Sequence, residues 1–178
     1  MLARSESLMR TDPVAGAAIA VAVGGAAALL GAWFFQYVVG LPPCPLCLEQ
    51  RIPYYIAVPL AAMVALGASV GSARKVLAAG LFFIAAVMVW NAYLGVYHSG
   101  VEWKWWAGPT DCSGALTDLG SAGGLLKNLQ TSRVVRCDEA AWRFLGLSLA
   151  GYNALIALAL AGIAALGGLT ALRQQPSG

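Results

Sequence analysis

The chain has 178 residues, of which 60% are hydrophobic and only 11% are charged, and its mean hydropathy is +0.72. A soluble domain carries about 25% charged residues, so the composition argues against a soluble globular protein, and the abundant apolar residues exclude disorder. The net charge of +3 is too small, and its basic residues too scattered, to indicate nucleic-acid binding.

Charged residues divide the rest of the chain into four long uncharged runs. Because a helix needs about 20 apolar residues to cross the hydrocarbon core, each run predicts one span. We therefore predict an all-α membrane protein, a bundle of four transmembrane helices in a single domain over residues 1–178. The predicted spans are 14–37, 53–71, 76–97 and 142–170, with outer loops at 38–52 and 98–141.

Local signals mark the ends of several spans. Asp12-Pro13 is typical of a helix N-cap followed by proline at the first helical position. Gly71-Ser72 is predicted to close the second span, and Asp138 to cap the fourth helix. The run Gly40-Leu41-Pro42-Pro43 must break the first helix, so residues 38–50 are predicted to form a loop or a short re-entrant turn. The first apolar run exceeds the about 7–15 residues of a signal-peptide core, which indicates an uncleaved span.

The orientation is predicted from lysine and arginine in the short loops. With four spans, both termini and the 72–75 turn lie on one side, with five basic and two acidic residues and hence a net charge of +3. The other side carries six of each and is neutral. The positive side is expected to be cytoplasmic, so that both large loops face outward.

The second outer loop contains two apolar features. Trp103, Trp105 and Trp106 are half of the tryptophans of the chain, and an interfacial aromatic belt is the simplest interpretation. Residues 115–129 alternate leucines with glycine and polar residues, which predicts a short helix on the bilayer surface. A partly ordered loop that closes over residues 38–50 is the alternative.

All four cysteines lie in the outer loops, Cys44 and Cys47 in the first, Cys112 and Cys137 in the second. An even count outside the membrane indicates two disulfides in an oxidising compartment. Cys44 and Cys47 have the C-x-x-C spacing of redox dithiols, and a disulfide that closes so small a loop adds little stability. Cys112 and Cys137 enclose 24 residues. Two pairs on one face suggest a relay of disulfide exchange.

Other chemistries remain as alternatives. The cysteines could form a zinc site, although structural zinc sites usually present two close ligand pairs and this chain has one. Two inert structural disulfides are a further possibility. The competing function is therefore that of a membrane scaffold or metal-binding protein with structural disulfides. His98 is the only histidine, which excludes a bis-histidine haem within one chain.

A relay that turns over needs an acceptor for two electrons, and the chain has no nucleotide, flavin or haem motif. A lipid-soluble quinone would be a suitable acceptor for a dithiol at the membrane. Arg51 would lie one helical turn from Cys47 if 47–51 is helical, where its charge would stabilise a thiolate and a reduced quinone oxygen. Pro53 disfavours helix at the preceding residue, and a snorkelling arginine is the alternative. His98 would hydrogen-bond a quinone carbonyl or relay a proton, unless it is a solvated boundary residue.

Three polar residues lie inside predicted spans and are more typical of interhelical hydrogen bonds than of ligand contacts. They are Gln36, Asn91 and Asn153.

Several segments, within roughly 33–155, together resemble the disulfide bond formation protein B (DsbB) family. They are Gln36, Leu41–Arg51, Gly95–Glu102, Gly108–Cys112 and Cys137–Leu147. The resemblance implies a four-helix bundle and a bacterial inner-membrane protein-dithiol:quinone oxidoreductase with periplasmic cysteines and cytoplasmic termini. Its electron acceptor would be ubiquinone or menaquinone.

The resemblance also implies a role for each site residue. Cys112 would form the mixed disulfide with a periplasmic thioredoxin-fold oxidase of the DsbA type, and its partner Cys137 would then exchange with Cys44. Cys47 would be the thiolate beside the quinone, with Arg51 assisting it. His98 lies near a family position linked to the quinone site. A relative that re-oxidises a different soluble dithiol is the nearest rival.

Overall fold

The computed structural model describes residues 12–109 and 136–174. Four of its helical segments are long and apolar enough to span a membrane, which confirms the predicted all-α bundle of four spans. The helices in this part of the chain are α1 (Pro13–Tyr37), α2 (Pro45–Glu49), α3 (Ile52–Ser69), α4 (Arg74–Glu102) and α5 (Leu149–Arg173), and α2 and α3 together form the second spanning segment. A two-stranded hairpin of β1 (Arg143–Phe144) and β2 (Leu147–Ser148) precedes α5.

Helix α1 begins as its capping signal predicts. The Asp12 carboxylate accepts a hydrogen bond from the Val14 N–H at 3.0 Å, and Pro13 occupies the first turn, where its missing N–H costs nothing. The same carboxylate pairs with Arg74 at 2.9 Å. The starts of α1 and α4 therefore lie side by side at one end of the bundle.

The fourth long helix begins later than predicted. Leu145 and Gly146 both have positive φ angles, 49° and 84°, which fit a tight hairpin turn and cannot continue a helix. The N-cap of α5 is Ser148, whose hydroxyl accepts from the Gly151 N–H at 3.3 Å. The prediction that Asp138 caps this helix is wrong, because Asp138 lies before the hairpin and pairs with Arg136 at 2.8 Å.

Helix α4 extends further than predicted and ends at Glu102. His98 is therefore buried inside the last turns of a helix, which excludes the solvated boundary histidine. Trp103, Trp105 and Trp106 follow α4 directly and are exposed, as an interfacial belt requires. The helix predicted over 115–129 lies outside the described residues.

Close packing of α4 on α5 depends on small side chains. Lipid tails are as apolar as the helices, so helices in a membrane associate through close contact rather than through the hydrophobic effect. Gly95 of α4 faces Ala150 and Ala154 of α5, and a Cβ at Gly95 would lie 2.9 Å from the Ala154 amide nitrogen and 3.0 Å from the Ala150 carbonyl oxygen. These backbone atoms cannot swing aside.

The Gly95→Ala variant should therefore unfold more readily. Alanine normally stabilises a helix by about 1 kcal/mol relative to glycine, whereas forcing α4 from α5 should lower the free energy of unfolding by about 1–3 kcal/mol. Thermal unfolding in detergent micelles measures the difference. Gly162→Ala is the matched control, since a Cβ there meets nothing within 4 Å. Equal stability of the two variants would contradict this packing.

Candidate active site

The C-x-x-C motif forms a short helical turn at the mouth of the second span. Cys44 is the N-cap of α2, and its Sγ accepts a hydrogen bond from the Cys47 N–H at 3.2 Å. Pro45 fits the first helical position, where no N–H is required. This turn brings the sulfurs of Cys44 and Cys47 to 2.7 Å, and both cysteines are free. A small movement would join them, as a dithiol that cycles with its disulfide requires.

The two sulfurs face different surroundings. Cys44 is 3% exposed and packs in a cluster with Leu46, Val101 and Cys137. Cys47 is partly buried, packs against the same cluster and also lines a cavity. Cys137 is disulfide-bonded, and its partner is neither Cys44 nor Cys47, which are both free. Of the described cysteines, only Cys47 lines the cavity, whereas Cys44 and Cys137 are buried together in the cluster. Cys112 lies outside the described residues.

The thiol of Cys44 is held in its protonated form. The hydrogen bond that it shares with Cys47, together with its burial, raises the pKa of the Cys44 thiol well above the ordinary value. When the pair loses one proton, the negative charge therefore resides on the sulfur at the cavity.

The cavity beside Cys47 has a volume of about 700 Å³, within the range of small-molecule sites. It lies between α1, the α2–α3 segment, α5 and the residues before α5. Its apolar wall includes Ala28, Ala32, Phe35, Trp142, Phe144 and Ile156. Its polar side chains include Gln36, Cys47, Gln50, Arg51, Tyr54, His98 and Asn153. This combination suits a ligand with a polar ring and an apolar tail.

Arg51 reaches the cavity because the chain continues almost helically from α2 into α3. Arg51 keeps a right-handed helical backbone between the two helices, and Pro53 is accommodated in the first turn of α3, where proline is tolerated. The guanidinium Nη1 donates to the Gln36 side-chain oxygen at 2.6 Å. Within residues 12–109 and 136–174, no carboxylate lies within ion-pair range of Arg51. Its charge is thus available to an anionic group in the cavity.

His98 lies at the centre of a buried polar network. Its Nε2 is 3.6 Å from the Cys44 sulfur and 3.7 Å from a carboxylate oxygen of Glu102, and its Nδ1 is 2.7 Å from the Gln50 amide nitrogen. Asn153 joins Gln50 to Asn91. The hydrogen bond between Asn153 and Asn91 confirms an interhelical contact, and Gln36 of α1 bonds Arg51, which lies between α2 and α3.

Gln50, Tyr54 and Glu102 belong to this site, although sequence reasoning did not single them out. Gln50 precedes Arg51 in the motif, and Glu102 follows His98 at the i,i+4 spacing that places two side chains on one helical face. These positions in the sequence were the signals that could have identified Gln50 and Glu102.

The ligand atoms of Cys44, Cys47 and His98 lie within 4.8 Å of one another, a spacing that would also permit a metal ion.

The sequence of the chain matches a described protein family and individual relatives. A family described as "Disulfide bond formation protein DsbB" matches residues 15–167. A relative named "Disulfide bond formation protein B" from Polaromonas sp. strain JS666 is 29% identical over 140 residues, 73% of this chain and 77% of the relative. Another of that name, from Polaromonas naphthalenivorans strain CJ2, is 28% identical over 163 residues, 87% and 90% of the two chains. No solved structure matches significantly.

Proposed function

Because the chain belongs to the DsbB family of disulfide bond formation proteins, we propose that it is a protein-dithiol:quinone oxidoreductase of the membrane. One observation carries the proposal. Cys44 and Cys47 are free thiols 2.7 Å apart; Cys44 lies in a buried cluster with the disulfide-bonded Cys137, and Cys47 lines a largely apolar cavity. A structural disulfide needs no such cavity, whereas a dithiol that passes electrons to a lipid-soluble acceptor does.

Electrons enter the relay at the second outer loop. A dithiol protein attacks a disulfide between Cys112 and Cys137 through its thiolate, forms a mixed disulfide at Cys112 and leaves Cys137 as a thiolate. Cys137 then attacks the Cys44 sulfur of the oxidised pair, and Cys47 departs as a thiolate toward the cavity. The second thiol of the dithiol protein then displaces Cys112 from the mixed disulfide and leaves that protein oxidised. The freed Cys112 thiolate attacks Cys137, restores the Cys112–Cys137 disulfide and releases Cys44, which takes up a proton. Each exchange moves a disulfide without any net loss of electrons. The packing of Cys44 against Cys137 supports this order.

The oxidised pair is regenerated at the cavity. A bound quinone, either ubiquinone or menaquinone, supplies the capacity to accept two electrons and two protons. Cys47 presents its sulfur to the cavity, where the charge of Arg51 would stabilise the thiolate and a reduced quinone oxygen, and the apolar wall would hold the tail of the quinone. Cys44 supplies the second sulfur of the new disulfide and gives up its proton.

The proposed location is the bacterial inner membrane, with both termini in the cytoplasm and the cysteines in the periplasm. The distribution of basic residues supports this orientation. The Asp12–Arg74 pair joins the starts of α1 and α4 at one end, opposite the cysteine motif. The soluble partner would then be a periplasmic thioredoxin-fold oxidase of the DsbA type.

Turnover with purified protein tests this function. Protein in lipid nanodiscs, a short-chain quinone and a reduced thioredoxin-fold dithiol protein should give quinone loss at a rate set by the dithiol concentration. In Cys112→Ser, this steady-state rate should fall to background, whereas a pre-reduced Cys44–Cys47 pair should still reduce one equivalent of quinone. The absence of thiol-dependent quinone loss, with lower thermal stability in Cys44→Ser, would instead indicate a scaffold with structural disulfides.

A further inference from the structure

The hydrogen bonds around Gln50 have one possible direction. The carbonyl oxygen of Leu46 can only accept, so the Gln50 side-chain atom 3.2 Å from it must be the amide nitrogen. The second proton of this amide points to His98 Nδ1 at 2.7 Å. The amide oxygen of Gln50 accepts from Asn153 at 2.7 Å. Gln50 is 5% exposed, and these partners use both of its amide protons and its oxygen.

Asn153 continues the same direction towards Tyr54. Its amide nitrogen donates to Gln50 at 2.7 Å and to the Asn91 oxygen at 3.3 Å, and its oxygen accepts from the Tyr54 hydroxyl at 2.7 Å. A reversed Asn153 amide would place its oxygen against the Gln50 oxygen. The series therefore donates in order from Tyr54 to Asn153, then to Gln50 and then to His98, and the hydrogen bonds polarise one another.

This direction determines which ring nitrogen of His98 carries the proton. A nitrogen that accepts a hydrogen bond has no proton, so in the neutral ring the proton resides on Nε2. Nε2 is the nitrogen near the Cys44 sulfur, at 3.6 Å, and near Glu102, at 3.7 Å. His98 therefore presents a donor to that sulfur and has no lone pair there with which to act as a base.

We propose that Gln50, supported by Asn153 and Tyr54, is a positioning residue that holds His98 neutral with its proton on Nε2, as a hydrogen-bond donor to Cys44. The value of this hydrogen-bond donor for catalysis rests on the proposed function. Cys44 is the central sulfur when Cys137 displaces Cys47, negative charge spreads over all three sulfurs in that exchange, and a fixed donor at the central sulfur stabilises it.

The same arrangement does not suit a metal at Cys44, Cys47 and His98. A histidine that binds metal through Nε2 needs a lone pair there and normally donates its Nδ1–H to an acceptor. Gln50 presents a donor to Nδ1 instead. Stoichiometric binding of Zn²⁺ by the reduced protein, with loss of the Nε2 proton, would therefore overturn the proposal.

Because His98 is the only histidine of the chain, ¹⁵N NMR of the full-length protein labelled at histidine observes one ring. In the reduced, quinone-free protein in nanodiscs, we expect the neutral ring with its proton on Nε2 throughout pH 6–8. Glu102, Cys44 and Cys47 are the titratable groups that face it. A proton on Nδ1, or a doubly protonated ring, would refute the proposal whatever the turnover assay shows.

Gln50→Glu supplies the variant test. A carboxylate can only accept, so the His98 proton should move to Nδ1, and the pH dependence of kcat should differ from that of the wild-type protein. Gln36→Glu is the matched control, because it places the same change on the same cavity without touching His98 and should keep the Nε2 tautomer. An unchanged His98 tautomer in folded Gln50→Glu would show that Gln50 does not position the ring. If that variant does not fold, the wild-type spectrum still decides.

Discussion

Replacing Cys47 with serine is expected to reduce dithiol-dependent quinone reduction to the uncatalysed background, a loss of more than about 10³-fold. The Cys47 sulfur is the one that lines the cavity, and Cys44 is buried behind it against Cys137. A serine hydroxyl neither leaves as a thiolate nor forms a disulfide. The remaining thiols therefore have no route for electrons to the cavity. Steady-state quinone absorbance in nanodiscs measures the loss.

The disulfides of the Cys47→Ser protein give a sharper result than its activity. In a Cys47→Ser/Cys112→Ser protein, Cys137 lacks its proposed partner Cys112, and oxidation should trap Cys44 with Cys137, because both lie in one buried cluster. Peptide mapping under non-reducing conditions detects this bond. Cys44→Ser/Cys112→Ser is the matched control, in which activity is also lost but Cys47, which lines the cavity, should be trapped with Cys137 far less. Equal trapping of Cys137 by either cysteine would contradict the proposed order.

Arg51→Gln should lower kcat/KM for quinone about 10²-fold, the cost of removing one preorganised electrostatic donor. Arg51 lines the cavity, and in the described part of the chain no carboxylate neutralises it. Glutamine retains hydrogen-bonding capacity but removes the charge, so the loss reports on charge stabilisation. Exchange between Cys137 and Cys44 should be little affected, because Arg51 faces the cavity and not the Cys44 cluster.

Gln36→Leu separates the charge of Arg51 from its position. Gln36 accepts from Arg51 at 2.6 Å, so leucine would leave the guanidinium charged but less well oriented. We expect a loss of roughly tenfold, well below that of Arg51→Gln. A loss equal to that of Arg51→Gln would assign the effect to orientation alone, and full activity in Arg51→Gln would remove Arg51 from the site.

The four spans were predictable because hydrophobic length is a local property of the sequence. The start of α1 was predictable for the same reason, since Asp12 and Pro13 act on adjacent backbone groups. The start of α5 was not, because the hairpin at Leu145-Gly146 lies in an apolar stretch that also fits a helix. There, positive φ angles determine the structure, and hydropathy does not report them.

The candidate site was likewise predictable only where its residues are close together in the sequence. Cys47 and Arg51 were predictable as neighbours, since one helical turn separates them along the chain. The surroundings of His98 were not, because Gln50 is 48 residues from it in sequence and Asn153 is 103 residues from Gln50. Only the packing of α4, α5 and the α2–α3 segment brings these side chains together. The packing of Cys44 against Cys137 likewise depends on tertiary structure.

An anaerobic single turnover tests the central claim most directly. A Cys112→Ser/Cys137→Ser protein, in which the new disulfide cannot pass to the second outer loop, is fully reduced in nanodiscs and mixed with one equivalent of quinone. Quinol and the Cys44–Cys47 disulfide are then counted in the same sample. One quinol should form for each disulfide, since two thiols give up two electrons and two protons. Quinol formed while Cys44 and Cys47 stay reduced, or a disulfide formed with no quinol, would contradict electron transfer from this pair to the quinone.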